Sequence, residues 1–85
     1  MLYEVENLKK ARAFLSKVKS KVILSNPDGS TRYYGMRVIH CIFQTLQKEY
    51  PEKIHKVVVN TFDDYAAFVT AREIGYEDIN FVKMP

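Results

Sequence analysis

From Asn7 to Val18 the apolar residues Leu8, Ala11, Leu15 and Val18 recur at steps of three and four, with Phe14 beside them. That spacing predicts one stripe of an amphipathic helix. The apolar run Val22-Ile23-Leu24 inside Lys21–Ser25 is short and branched, which predicts a strand. The Asn26-Pro27-Asp28-Gly29-Ser30 segment then carries turn chemistry and is read as the longest irregular stretch. From Gly35 to Tyr50 the helical pattern is the strongest in the chain. Val38, Ile39, Ile42, Phe43, Leu46 and Tyr50 form one broad apolar face, and Arg37, His40, Cys41, Gln44, Gln47 and Lys48 share the other. Pro51 ends that helix because it lacks the N–H of the next hydrogen bond and disfavours helical geometry at Tyr50.

The β-branched run His55–Asn60 predicts a second strand. Thr61 with Asp64 three residues on resembles a capping box for a last helix, whose buried stripe is Ala67, Phe68, Ala71 and Ile74. Gly75 closes it, and Ile79–Val82 opens a third strand. The expected fold is therefore α/β, a three-stranded parallel sheet with three helices in the order α-β-α-β-α-β, forming a single domain over residues 1–85. So short a crossover demands parallel pairing and a covered sheet face. Right-handed connections leave two strand orders. In 1-2-3 both crossover helices lie on one face and the N-terminal helix covers the other; in 2-1-3 the crossover helices lie on opposite faces. Either order leaves two open edges, so self-association into a homo-oligomer is expected.

Composition narrows the class. With 85 residues, 47% of them hydrophobic and 27% charged, the chain reads as globular, although at this length roughly 60–65% of the unfolded surface is all it can bury. Cys41 is the single cysteine, which excludes an internal disulfide or a Cys-rich metal site and fits a reducing, cytoplasmic setting. The opening Met1–Glu6 lacks the basic flank and apolar block of a signal peptide, and no stretch is apolar enough for a membrane span, so a soluble protein is expected. The net charge of +3 is uneven. Lys9, Lys10, Arg12, Lys17, Lys19 and Lys21 outweigh Glu4 and Glu6 in the first 21 residues, whereas the remainder is slightly acidic. This basic helix could meet nucleic acid through counterion release, but a solvated helix face is the simpler reading, and nucleic acid is not the favoured partner.

The residues Val22-Ile23-Leu24-Ser25-Asn26-Pro27, Tyr34-Gly35, Tyr50-Pro51, and Asp64, Ala67, Ala71, Gly75 and Ile79 together resemble small bacterial α/β proteins of unknown function. The likeness spans most of residues 8–82 and its motifs are structural, so it implies a fold and no activity. Where such relatives often have Gly near the start of the last helix, this chain has Tyr65 and Ala66, which argues against a close backbone approach to a ligand there. The Ala-x3-Ala-x3-Gly run also resembles half-units of doubly wound proteins, a likeness of packing that does not fix function.

Ligands of open parallel sheets sit at the carboxyl ends of the strands. Here those ends bear Ser25, Asn26, Asp28, Ser30, Thr31 and Arg32, then Asn60, Thr61, Asp63 and Asp64, then Lys83. In one reading the amides of Gly29-Ser30-Thr31 and the cation of Arg32 hold a phosphate, nucleotide or other small anion. In the other these are solvated turns and helix caps, favoured because the Lys and second Gly of a phosphate loop are missing. Asp28, Asp63 and Asp64 are residue types that suit Mg²⁺, but no aspartate ends the third strand and two of them serve as caps, so no metal or cofactor is expected. His40 and Cys41 are adjacent on a helix and point about 100° apart, which does not make a nucleophile and its base; His55 lies at the opposite end of the sheet. The six tyrosines, Tyr33-Tyr34 above all, fit a protein interface better than base stacking, because the basic stripe lies elsewhere. The expectation is a small interaction or regulatory module without a catalytic set, whose partner is another protein or itself.

Overall fold

The computed structural model describes residues 1–82. The chain runs β1 (Leu2–Glu4), α1 (Leu8–Lys17), β2 (Val22–Ser25), α2 (Ser30–Tyr34), α3 (Met36–Glu49), β3 (Ile54–Phe62), α4 (Tyr65–Ile74) and β4 (Ile79–Phe81). The four strands form one sheet in the order β1-β2-β3-β4, and every neighbouring pair is parallel. The α/β class and the parallel pairing stand as expected, while the count of three strands and three helices is corrected to four of each among the described residues.

The added strand changes the layering. β1 pairs Leu2 with Ile23, Tyr3 with Leu24 and Glu4 with Ser25, which turns α1 from an N-terminal cover into a crossover helix. The Tyr3 and Phe14 rings stack at 4.2 Å and pin α1 to the helix-bearing face. α1 lies against α3 and α3 against α4, so all three long helices share that face. The alternation along the strands agrees with this. Val22, Leu24, Val57 and Val59 point into the core, whereas Lys56 and Asn80 are exposed and Ile23 and Val58 only partly covered. A sequential order with all crossovers on one side is what right-handed connections produce, and it leaves the second face of the sheet bare among the described residues.

Local chemistry sets the element ends. Asn7 caps α1, its side chain accepting from the Lys10 amide, and the exposed Arg12 clamps Glu49 of α3 through two 2.8 Å hydrogen bonds. Asp64 is itself the N-cap of α4 and accepts from the Ala67 amide at 3.1 Å. Thr61 does not take part in a capping box, because it remains in β3, buried, with its hydroxyl donating to the Asn80 carbonyl. Gly75 ends α4 with φ at 118°, a left-handed conformation that a side chain disfavours. Phe43, Leu15, Leu24 and Leu46 are the bulkiest fully buried side chains, each contributing about 1.5–3 kcal/mol from burial. Val38, assigned to the apolar face of the long helix, is exposed because it sits at the margin of the stripe that Ile39, Phe43 and Leu46 bury. Among the described residues no helix is long and apolar enough to cross a membrane.

Candidate functional site

The carboxyl ends of β2 and β3 are joined by a polar lattice. Beyond Ser25 the backbone of β2 leaves the sheet, and the side chain of Asn26 takes over its pairing. The Asn26 Oδ1 accepts from the Asn60 amide at 2.8 Å, and Asn26 Nδ2 donates to the Asn60 carbonyl at 2.8 Å. Asn60 Nδ2 answers by donating to the Asn26 carbonyl and to Ser25 Oγ, both at 2.7 Å. Asn80 of β4 extends the row by donating to Asn60 Oδ1 at 2.7 Å. Asn26 Nδ2 also donates to Ser30 Oγ, whose own proton goes to the Pro27 carbonyl. No described buried side-chain N or O atom is left without a partner. Satisfied in this way, the buried amides hold the β2–α2 connection firmly instead of penalising it.

That connection is more ordered than its turn chemistry predicts. Ser30–Tyr34 forms the single turn α2, and Gly35, at φ 83° and ψ 149°, breaks it from α3. Two contacts fasten α2 to the β3–α4 turn: Thr31 Oγ1 donates to Asp64 Oδ2 at 2.9 Å, and the Arg32 guanidinium meets Asp63 Oδ1 at 2.9 Å. The hydrogen bond from Arg32 holds the Asp63 carboxyl below its ordinary range. Phe62, just before this turn, has φ 47°, a left-handed conformation that costs a bulky residue on the order of 1 kcal/mol or more.

The sequence-derived candidates therefore lie on one rim but divide into three groups. Ser25, Asn26, Ser30, Asn60 and Thr61 are engaged in the lattice. Thr31, Arg32, Asp63 and Asp64 form the α2 fastening, and Asp28 stands apart on the turn, exposed. Lys83 lies outside the described residues. Of the donors that a phosphate reading names, the Ser30 amide donates to Pro27 and the Arg32 side chain to Asp63. Among the described residues no three His, Cys, Asp or Glu side chains come together as metal ligands.

What periodicity and motif reading missed is a cleft of about 250 Å³ beside Asp28. Its floor is apolar, made by Val5 from the β1–α1 turn and Ile39, Ile42 and Phe43 from α3. Pro27, Asn26 and Ser30 form the β2–α2 side, and Glu6 and Asp28 stand at the lining as its two ionisable groups besides the tyrosines. Tyr33 and Tyr34 complete it while 87% and 58% exposed, values far from those of core aromatics. The adjacent Tyr33-Tyr34 and the position of Ile42 in the α3 stripe were the available signals. The share of the lining that Val5 and Glu6 supply depended on β1, which the pattern did not predict. On the other side of Tyr34 a wider, shallower hollow carries Arg37, Val38 and Thr70.

His40 and Cys41 do not form a reactive pair. His40 Nδ1 lies 2.7 Å from the Tyr76 hydroxyl, with the two rings edge to face, while Cys41 is exposed. Burial, and secondarily the nearby Cys41, pushes the Tyr76 phenol up to about 12. On α1, Lys10 pairs with Glu6 and Arg12 with Glu49, so two of the cations of the basic helix are engaged.

Among known proteins, the chain is similar to the uncharacterized protein RP547 of Rickettsia prowazekii (strain Madrid E): 43% identical over 81 residues, which cover 95% of this chain and 76% of that protein. No protein-family model matches the chain. No solved structure matches it either.

Proposed function

The chain belongs to the family of the Rickettsia prowazekii protein, and we propose that it works as a small interaction module that seats a side chain of a protein partner in the cleft at the carboxyl rim. The carrying observation is the union of an apolar floor with exposed Tyr33 and Tyr34 on a rim that the asparagine lattice holds in place. Pockets that anchor one apolar or aromatic side chain, ringed by tyrosine, are where interface energy concentrates. The rim also lies where parallel sheets bind their ligands. A random peptide library selected on the immobilised protein, with counter-selection on Ile42→Arg, tests the reading. Ile42 is only partly covered, so the arginine obstructs the cleft without entering the core. Peptides that bind the unaltered protein and not the variant support it, and a selection that yields only peptides binding both defeats it.

The bare sheet face favours a second reading, association of two copies. An all-parallel sheet is ordinarily covered on both faces, and here Leu2, Ile23 and Val58 lie on the uncovered one. Light scattering after size exclusion should give twice the 9.9 kDa chain mass, reverting to one chain in Ile23→Lys. A monomer at high concentration speaks against it.

A further inference from the structure

We infer that the rim cleft selects a basic partner segment, one in which an apolar residue is flanked by Lys or Arg. This rests on the reading of the cleft as a docking site and adds the sign of its charge. The side chains lining the cleft include two carboxylates, Glu6 and Asp28, and no cation. Three cations of the flanking segments face other groups. Lys10 pairs with Glu6 at 2.9 Å, Arg32 turns to Asp63 at 2.9 Å, and Arg37 lines the hollow beyond Tyr34. Asp28 has no ion-pair or side-chain hydrogen-bond partner among the described residues, so it is the charge the mouth retains. The exposed rings of Tyr33 and Tyr34 add electron-rich faces that attract a cation while excluding water from its stem. A floor of Val5, Ile39, Ile42 and Phe43 gives the apolar residue its seat, and a volume of about 250 Å³ suits one side chain rather than a nucleotide.

The test titrates three capped peptides, acetyl-Lys-Leu-Lys-amide, acetyl-Gln-Leu-Gln-amide and acetyl-Glu-Leu-Glu-amide, into the isotopically labelled full chain while amide shifts are followed. The lysine peptide is expected to shift Val5, Ser30 and Ile42 and to bind about three- to tenfold more tightly than the glutamine peptide, an advantage that shrinks as salt is added. Asp28→Asn is expected to remove most of that advantage; because Asp28 is exposed and unpartnered, the variant folds as the parent does. Equal binding of all three peptides at the cleft, or a lysine preference unchanged in Asp28→Asn, overturns the charge selection and leaves the docking reading standing. Shifts from none of the peptides overturn the docking reading itself, and the charge selection falls with it.

Discussion

Asn26 and Asn60 exchange three hydrogen bonds of 2.7–2.8 Å, and in two of them the Asn26 carboxamide does for β3 what a backbone peptide of β2 would have done. The side chain continues the ladder so that the main chain is free to leave it. Pro27 and Gly29 then carry the chain into α2, and the cleft opens in the space this departure creates.

Replacing Asn26 by Ala strands the buried N–H and C=O of Asn60, each at about 1–3 kcal/mol, so a loss of roughly 2–6 kcal/mol is expected in urea unfolding followed by circular dichroism. Ser30→Ala removes only a hydroxyl between Asn26 and Pro27 and should cost about 1 kcal/mol. Equal costs for the two variants would show that the side-chain ladder carries no special weight.

Gly35 joins α2 to α3 at φ 83° and ψ 149°, a region close to exclusive to glycine, yet a Cβ built there meets no atom within 4 Å. The expense of Gly35→Ala is therefore one of backbone conformation, about 1–3 kcal/mol, and Gly35→Leu should cost the same within error. A leucine variant much less stable than the alanine one would point to crowding instead.

Tyr76 contributes to the alkaline limit. Its phenol, raised to about 12 by burial, keeps its proton in the folded chain through the interval in which an unfolded tyrosine near 10 loses it. The folded state thus binds more protons there, and the stability this supplies is complete below pH 10 and lost as the pH climbs toward 12. Unfolding free energies measured across that interval should fall more steeply for the parent chain than for Tyr76→Phe. Parallel slopes would refute the assignment.

At the acid end the sign reverses. Hydrogen bonds from Arg12 and Arg32 hold the Glu49 and Asp63 carboxyls below their ordinary values, so whatever the pairs contribute is present above the normal carboxylate range and disappears as the pH drops through the lowered values. Both pairs are exposed, and their effect is small and salt-sensitive. Melting temperatures of Glu49→Gln and Asp63→Asn should lie below the parent near neutrality and converge with it in acid. A gap that widens on acidification contradicts the pairing.

The long elements were legible because their periods are long. Fourteen residues of α3 repeat one apolar stripe, and the Ala67–Ala71 spacing with Gly75 fixes both the face and the end of α4. Three residues of β1 offer no period to read; what commits them to the sheet is pairing with β2 and the ring of Phe14, partners distant in sequence. The same holds for α2, one turn held by Asp63 and Asp64 more than thirty residues away. The rim residues were legible as residue types, since asparagine, serine and aspartate after a strand announce a turn. Their division into lattice, fastening and lone carboxylate was not, because hydrogen-bond partners are chosen by tertiary proximity. Without β1 the place of Val5 in the cleft's floor could not be read.

A sheet whose strands follow one another in chain order has neither a centre nor a closing seam. Each helix–strand unit leans on the units next to it in the chain, so the architecture resembles a course of tiles. Material added beyond β1 or β4 would extend the course without shifting the tiles between which the cleft lies, and evolution could lengthen such a protein at either border while its rim stayed as it is.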